Sequence, residues 1–427
     1  MAAVQRLPRQ RTLRAMRMLL LAYAVACACT RAEPDRKLTL VFKHQPLWGD
    51  PAPFRALLDE FRRDHPGLVL RTETLPNGSD IAREMFVTAL EGGADDFDVF
   101  PIDVVWAPEF ARAGWLADLS EHFPATALSR EFLPGPVAAV TSGGKTWAVP
   151  WFVDVGLLFY RTDLVPRAPR TYAELDGFAR AAIRRDPSLS GWLWQGRQSE
   201  GINCVAFETI WGHGGELFAQ GHIQLDTEPA RAGLRLLRRA VESGLSPRSV
   251  SSSAEEETRR AFQDGRAVFL RNWPYVWTEV QSAGSPVRGK VGWAPLPSAS
   301  GTPGPGALGG WQLAVNAHAP PERRRAAEKL VAFLTSPEAE LLLALRYSRN
   351  PARRAVYDDP RLQQGAPFIA ALLPLALAAR PRPVTPYYLL ASDAIQGEIS
   401  AAISGLRPPD EALRRAQAIV DHLEGVR

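Results

Sequence analysis

From Lys37 onward the chain alternates strand-like with helix-like segments, and this alternation limits its possible folds more than any other feature. Residues 38–43 read as a strand; Phe54, Leu57, Leu58 and Phe61 then fall at helical spacing until Pro66-Gly67 stops the helix. Residues 68–75 alternate as a strand, 81–90 read as a helix and 98–105 as the next strand. A β-α-β-α-β succession buries its helices against the faces of a parallel sheet, so a doubly wound α/β fold is predicted. Thr171 and Glu174 have capping-box spacing, which opens another helix and starts a second α/β unit after residue 155. A Gly/Pro/Ser-rich segment, 298–310, separates the apolar residues 291–294 from a strand at 311–315. Beyond it only helical patterns follow, at 321–335, 337–345, 366–379, 391–404 and 408–424. The 427 residues suffice for two or three lobes with their own cores, and this ordering predicts two lobes between which the chain crosses more than once.

Composition places the chain among ordinary globular proteins, at 46% apolar and 22% charged residues. A net charge of +4 and a pI near 9.1 invite a nucleic-acid reading, but the charge has a local origin. Residues 1–26 carry five arginines and no acid; removing these five from 50 bases leaves 45 against 46 acids. No basic tract remains, so no nucleic-acid partner is expected. The same leader, with an apolar run at 18–26 and small residues before a cysteine, has the layout of a secretory signal. Its apolar run is too short to span a bilayer. Ala24-Val-Ala-Cys27 resembles a bacterial lipobox with alanine where leucine is usual, making Cys27 the expected lipid-attachment residue. Cys29 is the alternative, and an ordinary cleaved signal is the plainer reading. Cys204 is then the one cysteine left in the folded part, where it can form no internal disulfide and reads as a small buried side chain.

Several chemistries are missing. The seven histidines are scattered and no paired Cys-x-x-Cys occurs, so no metal is expected. Gly143-Gly-Lys-Thr146 echoes the end of a phosphate loop, but Ala139 stands where its first glycine would be, and the segment reads as a turn between two strands. There is no Gly-x-Ser-x-Gly elbow, and no catalytic residue or cofactor is assigned. What the chain offers instead is aromatic rings beside polar groups. Asp154 is the carboxylate in the middle of the apolar run 147–164, next to Trp151 and Phe152, the run's other acid, Asp163, standing at its end. Burying such a charge requires hydrogen-bond partners, which a hydroxyl-rich ligand supplies. Asp103 precedes Trp106 at the end of a strand, where open α/β sheets bind ligands. Asn272-Trp-Pro-Tyr-Val-Trp277 brings three rings together, and Gly309-Gly-Trp311 lets backbone approach a ligand beside an indole. Flat apolar faces with polar handles suit a pyranose ring.

In order along the chain, Trp194-Gln-Gly-Arg-Gln-Ser-Glu-Gly201, Arg271-Asn-Trp-Pro-Tyr-Val-Trp277, Leu308-Gly-Gly-Trp311, Asn350-Pro and Arg380-Pro-Arg-Pro-Val-Thr-Pro-Tyr-Tyr388 resemble extracellular solute-binding proteins of family 1. Within that family the likeness is to the trehalose/maltose-binding proteins of ABC importers, from about residue 37 to the C terminus. The resemblance implies a two-lobed periplasmic-binding fold of type II, maltose-binding-protein-like, with a hinge. It implies a leader at 1–29, a first lobe at 37–153 plus 306–350 and a second at 154–305 plus 351–427. The ligand-binding residues it implies are Asp50, Arg83, Asp103, Phe152, Asp154, Trp273, Tyr275, Gly309, Trp311, Arg382 and Tyr388. Phe152 stands where relatives carry Tyr, which removes one hydroxyl. Other roles stay open: Arg382 as an ion pair between the lobes, Tyr388 as core, Asp103 as a cap for the following helix. Trp277 reads as core, and Gln195 and Glu200 as braces of the cleft. The implied function is capture of a disaccharide or short oligosaccharide and delivery to a membrane permease, by an exported, lipid-anchored monomer in the periplasm or on the outer face of the cytoplasmic membrane. The rival readings are a glycoside hydrolase using Asp103 and Asp154, and a binding protein for a non-sugar ligand.

Overall fold

The computed structural model describes residues 37–425, so the leader, Cys27 and Cys29 lie outside the described residues. Strand β1 (Leu38–His44) leads into helix α1 (Ala52–Asp64), which buries Phe54, Leu57, Leu58 and Phe61. Then follow β2 (Leu68–Thr74), α2 (Ser79–Glu91) and β3 (Val99–Asp103), with β1 parallel to both β2 and β3. The next two strands, β4 (Val149–Val155) and β5 (Leu157–Arg161), are consecutive in the chain but belong to different sheets. Helix α3 (Tyr172–Arg185), β6 (Ser190–Leu193), α4 (Glu200–Gly212), α5 (Glu255–Gln263), β7 (Ala267–Asn272) and β8 (Val291–Ala294) build up the second unit. Strand β9 (Leu308–Val315) and the short β10 (Asn350–Pro351) return to the first sheet, and α6 (Tyr388–Ser404) and α7 (Pro409–Gly425) close the chain. The first sheet has the order β10-β4-β9-β3-β1-β2 and the second β8-β5-β7-β6.

The molecule is therefore a two-lobed α/β protein, and the crossings between its sheets are tightly fixed. At Gly156 the chain leaves the first sheet; a Cβ there would sit 1.9 Å from Glu208 Oε1 and 2.7 Å from Arg271 Nη2, so only glycine fits. Arg271 Nε donates to Glu208 Oε2 at 2.6 Å, and the returning chain at Ala307 donates its N–H to Glu208 Oε1 at 2.9 Å. One buried carboxylate thus ties together β7, the returning strand and α4. Every residue of α4 is buried, as expected of a helix at the centre of a lobe.

Three local expectations are corrected. The first sheet is mixed rather than parallel, because β9 comes back from the second lobe and runs antiparallel to both β3 and β4. The helix expected at 366–379 is broken into Pro367–Ala370 and Leu373–Ala378, since Pro367 and Pro374 each lack the N–H that would continue a preceding turn. The capping box is half formed: Thr171 Oγ1 accepts from Glu174 N at 3.1 Å, while the Glu174 carboxylate takes the N–H of Arg170 at 2.7 Å. Gly143 and Gly144, at φ 59° and 75°, make the expected turn between two short strands.

Candidate functional site: the cleft between the lobes

Strand register assembles one wall of the site. β9 lies between β3 and β4, and Trp311 pairs opposite Asp103 on one side and Phe152 on the other. Gly309 pairs with Asp154, and because Asn350 pairs with Val153 the same ladder brings Arg349 alongside Asp154. Asp154 is thus flanked by a glycine and an arginine. Trp106 holds Trp311 edge to face, with ring centroids 5.3 Å apart at 89°. The second lobe supplies Trp273 and Tyr275 from the turn after β7, Glu255 and Glu256 from the start of α5, Glu200 from the start of α4, and Arg382 from the approach to α6. The cleft between these walls has a volume of about 160 Å³. A Cβ on Gly309 would stand 3.1 Å from the Trp273 ring, so the glycine admits an indole from the opposite lobe. Beneath that indole lies the Arg271 guanidinium, 4.0 Å from the ring centroid.

The polar groups fall into two sets. Arg382 spends its fork on carboxylates of both lobes: Nη2 donates to Asp103 Oδ1 at 2.6 Å and Nη1 to Glu200 Oε1 at 2.9 Å. Glu200 also accepts from Tyr388 Oη at 2.6 Å and from Ser392 Oγ. Burial acts against the charge of Arg382, but Asp103, Glu200 and the other acidic groups around it together outweigh it and hold the guanidinium well above its ordinary range. Burial pushes Asp103 up, with Arg382 opposing. A second contact between the lobes runs from Asp80 on α2 to the first turn of α4, where Asp80 Oδ2 accepts the N–H of Glu200 at 3.1 Å. Burial, reinforced by the charge of Glu200, pushes Asp80 up to about 7.

The other set is poorly satisfied. Asp154 Oδ1 has no hydrogen-bond partner among the described residues, and Oδ2 is 3.9 Å from Arg349 Nη1. Burial pushes Asp154 up to about 6 against the pull of Arg349 and Arg271.

Seven of the eleven residues expected from sequence line the cleft: Asp103, Asp154, Trp273, Tyr275, Gly309, Trp311 and Arg382. Four do not. Asp50 is exposed and accepts the N–H of Ala52 at 2.9 Å at the start of α1. Arg83 pairs with Glu109 at 3.2 Å and lines a separate cavity between the lobes, with Asp80 and Asp393. Phe152 lies under Arg349, its ring centroid 4.7 Å from the guanidinium carbon, and Tyr388 is buried behind Glu200. Asp103 accepts from Val105 N at 3.2 Å in the turn after β3 and holds Arg382, so the ion-pair reading applies; it does not cap the following helix, Ala107–Arg112, which has no side-chain cap. Trp277 stacks on Phe368, 4.7 Å between centroids, away from the cleft. Glu200 braces the cleft through Arg382 and Gln195 braces it by accepting from Arg271 at 3.0 Å, and Glu200 also reaches the wall itself.

Sequence reasoning missed Arg349, Glu255 and Glu256. Arg349 sits in the arginine-rich stretch 346–354 with nothing local to single it out, and Glu255-Glu-Glu257 reads as the acidic first turn of a helix. Among the described residues no group of three or more His, Cys, Asp or Glu could hold a metal, and no helix is long and apolar enough to cross a membrane.

Two α/β lobes joined by crossing strands, with a cleft of indoles and unsatisfied polar groups between them, define a solute-binding protein of the type II periplasmic class. Comparison with known proteins agrees. The chain belongs to the bacterial extracellular solute-binding protein family, whose profile matches residues 46–341. A probable ABC transporter-binding protein of Deinococcus radiodurans is 33% identical over 373 residues, covering 84% of this chain and 87% of the relative. The maltose-bound MalE3 of T. maritima superposes with a TM-score of 0.85 at 36% identity, over 90% of this chain and 100% of the other. A mannitol-binding protein of Pseudomonas aeruginosa is 24% identical over 84% of this chain and 86% of its own length. These relatives are binding proteins rather than enzymes, which sets aside the glycoside-hydrolase reading.

Proposed function

We propose that this protein captures a disaccharide or short oligosaccharide of the trehalose/maltose type between its lobes and delivers it to the permease of an ABC importer. The observation that carries this reading is the position of Asp154: a buried carboxylate with one oxygen unpartnered, in a cleft whose walls carry Trp273 and Trp311. A hydroxyl donated to that oxygen satisfies it, and charge-assisted bonds of this kind are roughly twice as strong as neutral ones. The indoles contribute stacking area and exclude water, Tyr275 and the Gly309 backbone complete the contact surface, and Asp103 with Arg382 bounds its far end. The maltose-bound relative at 36% identity supports a neutral saccharide as cargo.

In this reading the lobes divide near the expected 37–153 plus 306–350 and 154–305 plus 351–427, with Asp154, Val155 and Pro351 kept in the first lobe because β4 and β10 of its sheet include them. Ligand favours closure only through its stronger binding to the closed state, and no bond is broken. The leader is cleaved on export before Cys27, which carries the lipid as the new N terminus, and the mature protein works as a monomer at the outer face of the cytoplasmic membrane. Phe152 and Tyr388 act from behind the wall, the first by supporting Arg349 and the second by holding Glu200.

Calorimetric titration of residues 30–427 with trehalose, maltose, sucrose, maltodextrins, mannitol and glucose tests the proposal, with product analysis of each mixture. Saturable binding of an intact disaccharide, lost in Asp154→Ala, is the expected result. Binding of mannitol alone would overturn the disaccharide assignment, and absence of binding by every saccharide would overturn the sugar reading.

A further inference from the structure

Among the described residues the buried arginines are well supplied with acceptors, except one. Arg271 has Glu208 and Gln195, Arg382 has Asp103 and Glu200, Arg161 has both oxygens of Asp163, and Arg259 has Glu256 and Gln263. Arg349 is as buried as these, yet its nearest carboxylate oxygen, on Asp154, is 3.9 Å away and its Nε has no partner among the described residues. The guanidinium packs against two rings, Phe152 of its own sheet at 4.7 Å and Tyr275 of the opposite lobe at 5.3 Å. It lines the cleft. A desolvated guanidinium without acceptors is strongly unfavourable, and one that is aligned by packing rather than by hydrogen bonds has its donors free for something else. Asp154, its ladder neighbour, has the complementary defect: an acceptor oxygen with no donor.

We propose that Arg349 contacts the ligand and determines specificity jointly with Asp154, the two together reading one hydroxyl-bearing edge of the bound sugar. A hydroxyl there donates its proton to Asp154 Oδ1 and accepts an N–H from Arg349, so one group meets both unmet valences. This rests on the saccharide reading above and narrows it. The edge must be uncharged, because a carboxylate in that position would face Asp154 and an ammonium would face Arg349. It must also keep its hydroxyl, since a deoxy sugar leaves both side chains unpaired. Arg349 also faces Glu256 through Tyr275, whose hydroxyl donates to Glu256 at 2.7 Å, so Glu256 is already engaged and does not compete for the guanidinium.

The experiment is a titration of wild type, Arg349→Met, Arg349→Lys and Asp154→Asn with maltose, with trehalose, and with a series of mono-deoxy maltoses lacking one hydroxyl each. In wild type one deoxy position should bind roughly ten- to a hundredfold more weakly than maltose, the range expected for a hydrogen bond to a charged group. Arg349→Met should weaken maltose and shrink the penalty of that one analogue to the part owed to Asp154, leaving the other positions discriminated as before. Arg349→Lys keeps the charge beside Asp154 but loses the planar fork, and is expected to lose most of the same discrimination; it also serves if the Met variant does not fold. A purely structural role predicts equal weakening for every analogue, and that outcome overturns the proposal, as does unchanged affinity. If wild type binds none of these sugars, both this proposal and the saccharide reading fall; if it binds them and the variants keep its pattern of discrimination, only this proposal falls.

Discussion

The Arg271–Glu208 pair and the Arg349–Asp154 pair are both buried, and both stand beside the segment where the chain leaves the first sheet. In the first pair all the valences are spent: Glu208 takes Arg271 and the Ala307 N–H, and Arg271 has Gln195 besides. In the second pair the partners stand 3.9 Å apart and each has an atom with nothing to bond to. The same two residue types therefore build a joint in one place and an unfilled receptor in the other. The difference is one of geometry. Arg271 and Glu208 approach from β7 and α4 with the crossing strands closing over them, whereas Arg349 and Asp154 are neighbours on one ladder and both open towards the other lobe.

The sharpest way to break the comparison is to remove one partner from each pair. Arg271→Met strands a buried carboxylate, and a loss on the order of 3–5 kcal/mol in unfolding free energy is expected by urea denaturation. An equally large loss from Arg349→Met would erase the distinction. Asp154→Asn is next in size: sugar affinity should fall roughly ten- to a hundredfold by calorimetry, while the ligand-free protein is not destabilised at neutral pH. The sign follows from the carboxyl being held up to about 6 by burial in the folded chain, above its unfolded value near 4. Its contribution to stability is complete below pH 4 and is lost as pH rises through 6, so wild type should lose ground to Asp154→Asn across that interval in thermal melts. A constant difference between the two from pH 4 to 7 would contradict the burial argument.

How much of this was legible in the sequence depends on the range of the interaction. Helices α1 and α2 are visible because Phe54, Leu57, Leu58 and Phe61, then Ala82, Phe86 and Leu90, repeat at helical spacing on the face they bury. Asp154 and the Trp273 turn are visible because a charge in an apolar run, or three rings in five residues, stand out locally. The mixed sheet is not visible, since the direction of β9 depends on which lobe the chain returns from. Arg349 is hidden for a similar reason: only its pairing with β4 distinguishes it from Arg346, Arg353 and Arg354. Asp50 and Arg83 were assigned through short local matches, and neither residue reaches the cleft wall.

The contacts between the lobes are expected to be sensitive to pH. Asp80 accepts a backbone N–H at the start of α4, where Ser199 offers no side-chain cap; it faces Glu200 and Glu255 across the interface, with Asp103 of its own lobe and Arg83 on its own helix. In an open form Asp80 titrates near 4 in water, whereas between the lobes it is pushed up to about 7, so closing takes up a proton. Affinity should therefore fall as pH rises from 4 to 7, by at most about tenfold per unit from this group, and level off above it. Asp80→Asn keeps an acceptor for Glu200 N and should flatten that part of the profile; an unchanged slope would show that Asp80 does not titrate on closure.

The smallest effect should come from Asp50, and it bears most directly on where the cleft ends. Its carboxylate takes the Ala52 N–H at the start of α1, its backbone carbonyl accepts from Tyr347, and its side chain is exposed to solvent. A helix-start acid of this kind contributes about 1 kcal/mol. Asp50→Ala should therefore lower stability by no more than that, with sugar affinity changed by less than about twofold. A tenfold loss of affinity in Asp50→Ala without loss of stability would mean that the ligand extends past Trp48 to the start of α1, and that the wall defined by Asp103, Trp311 and Asp154 is only the inner part of a longer groove.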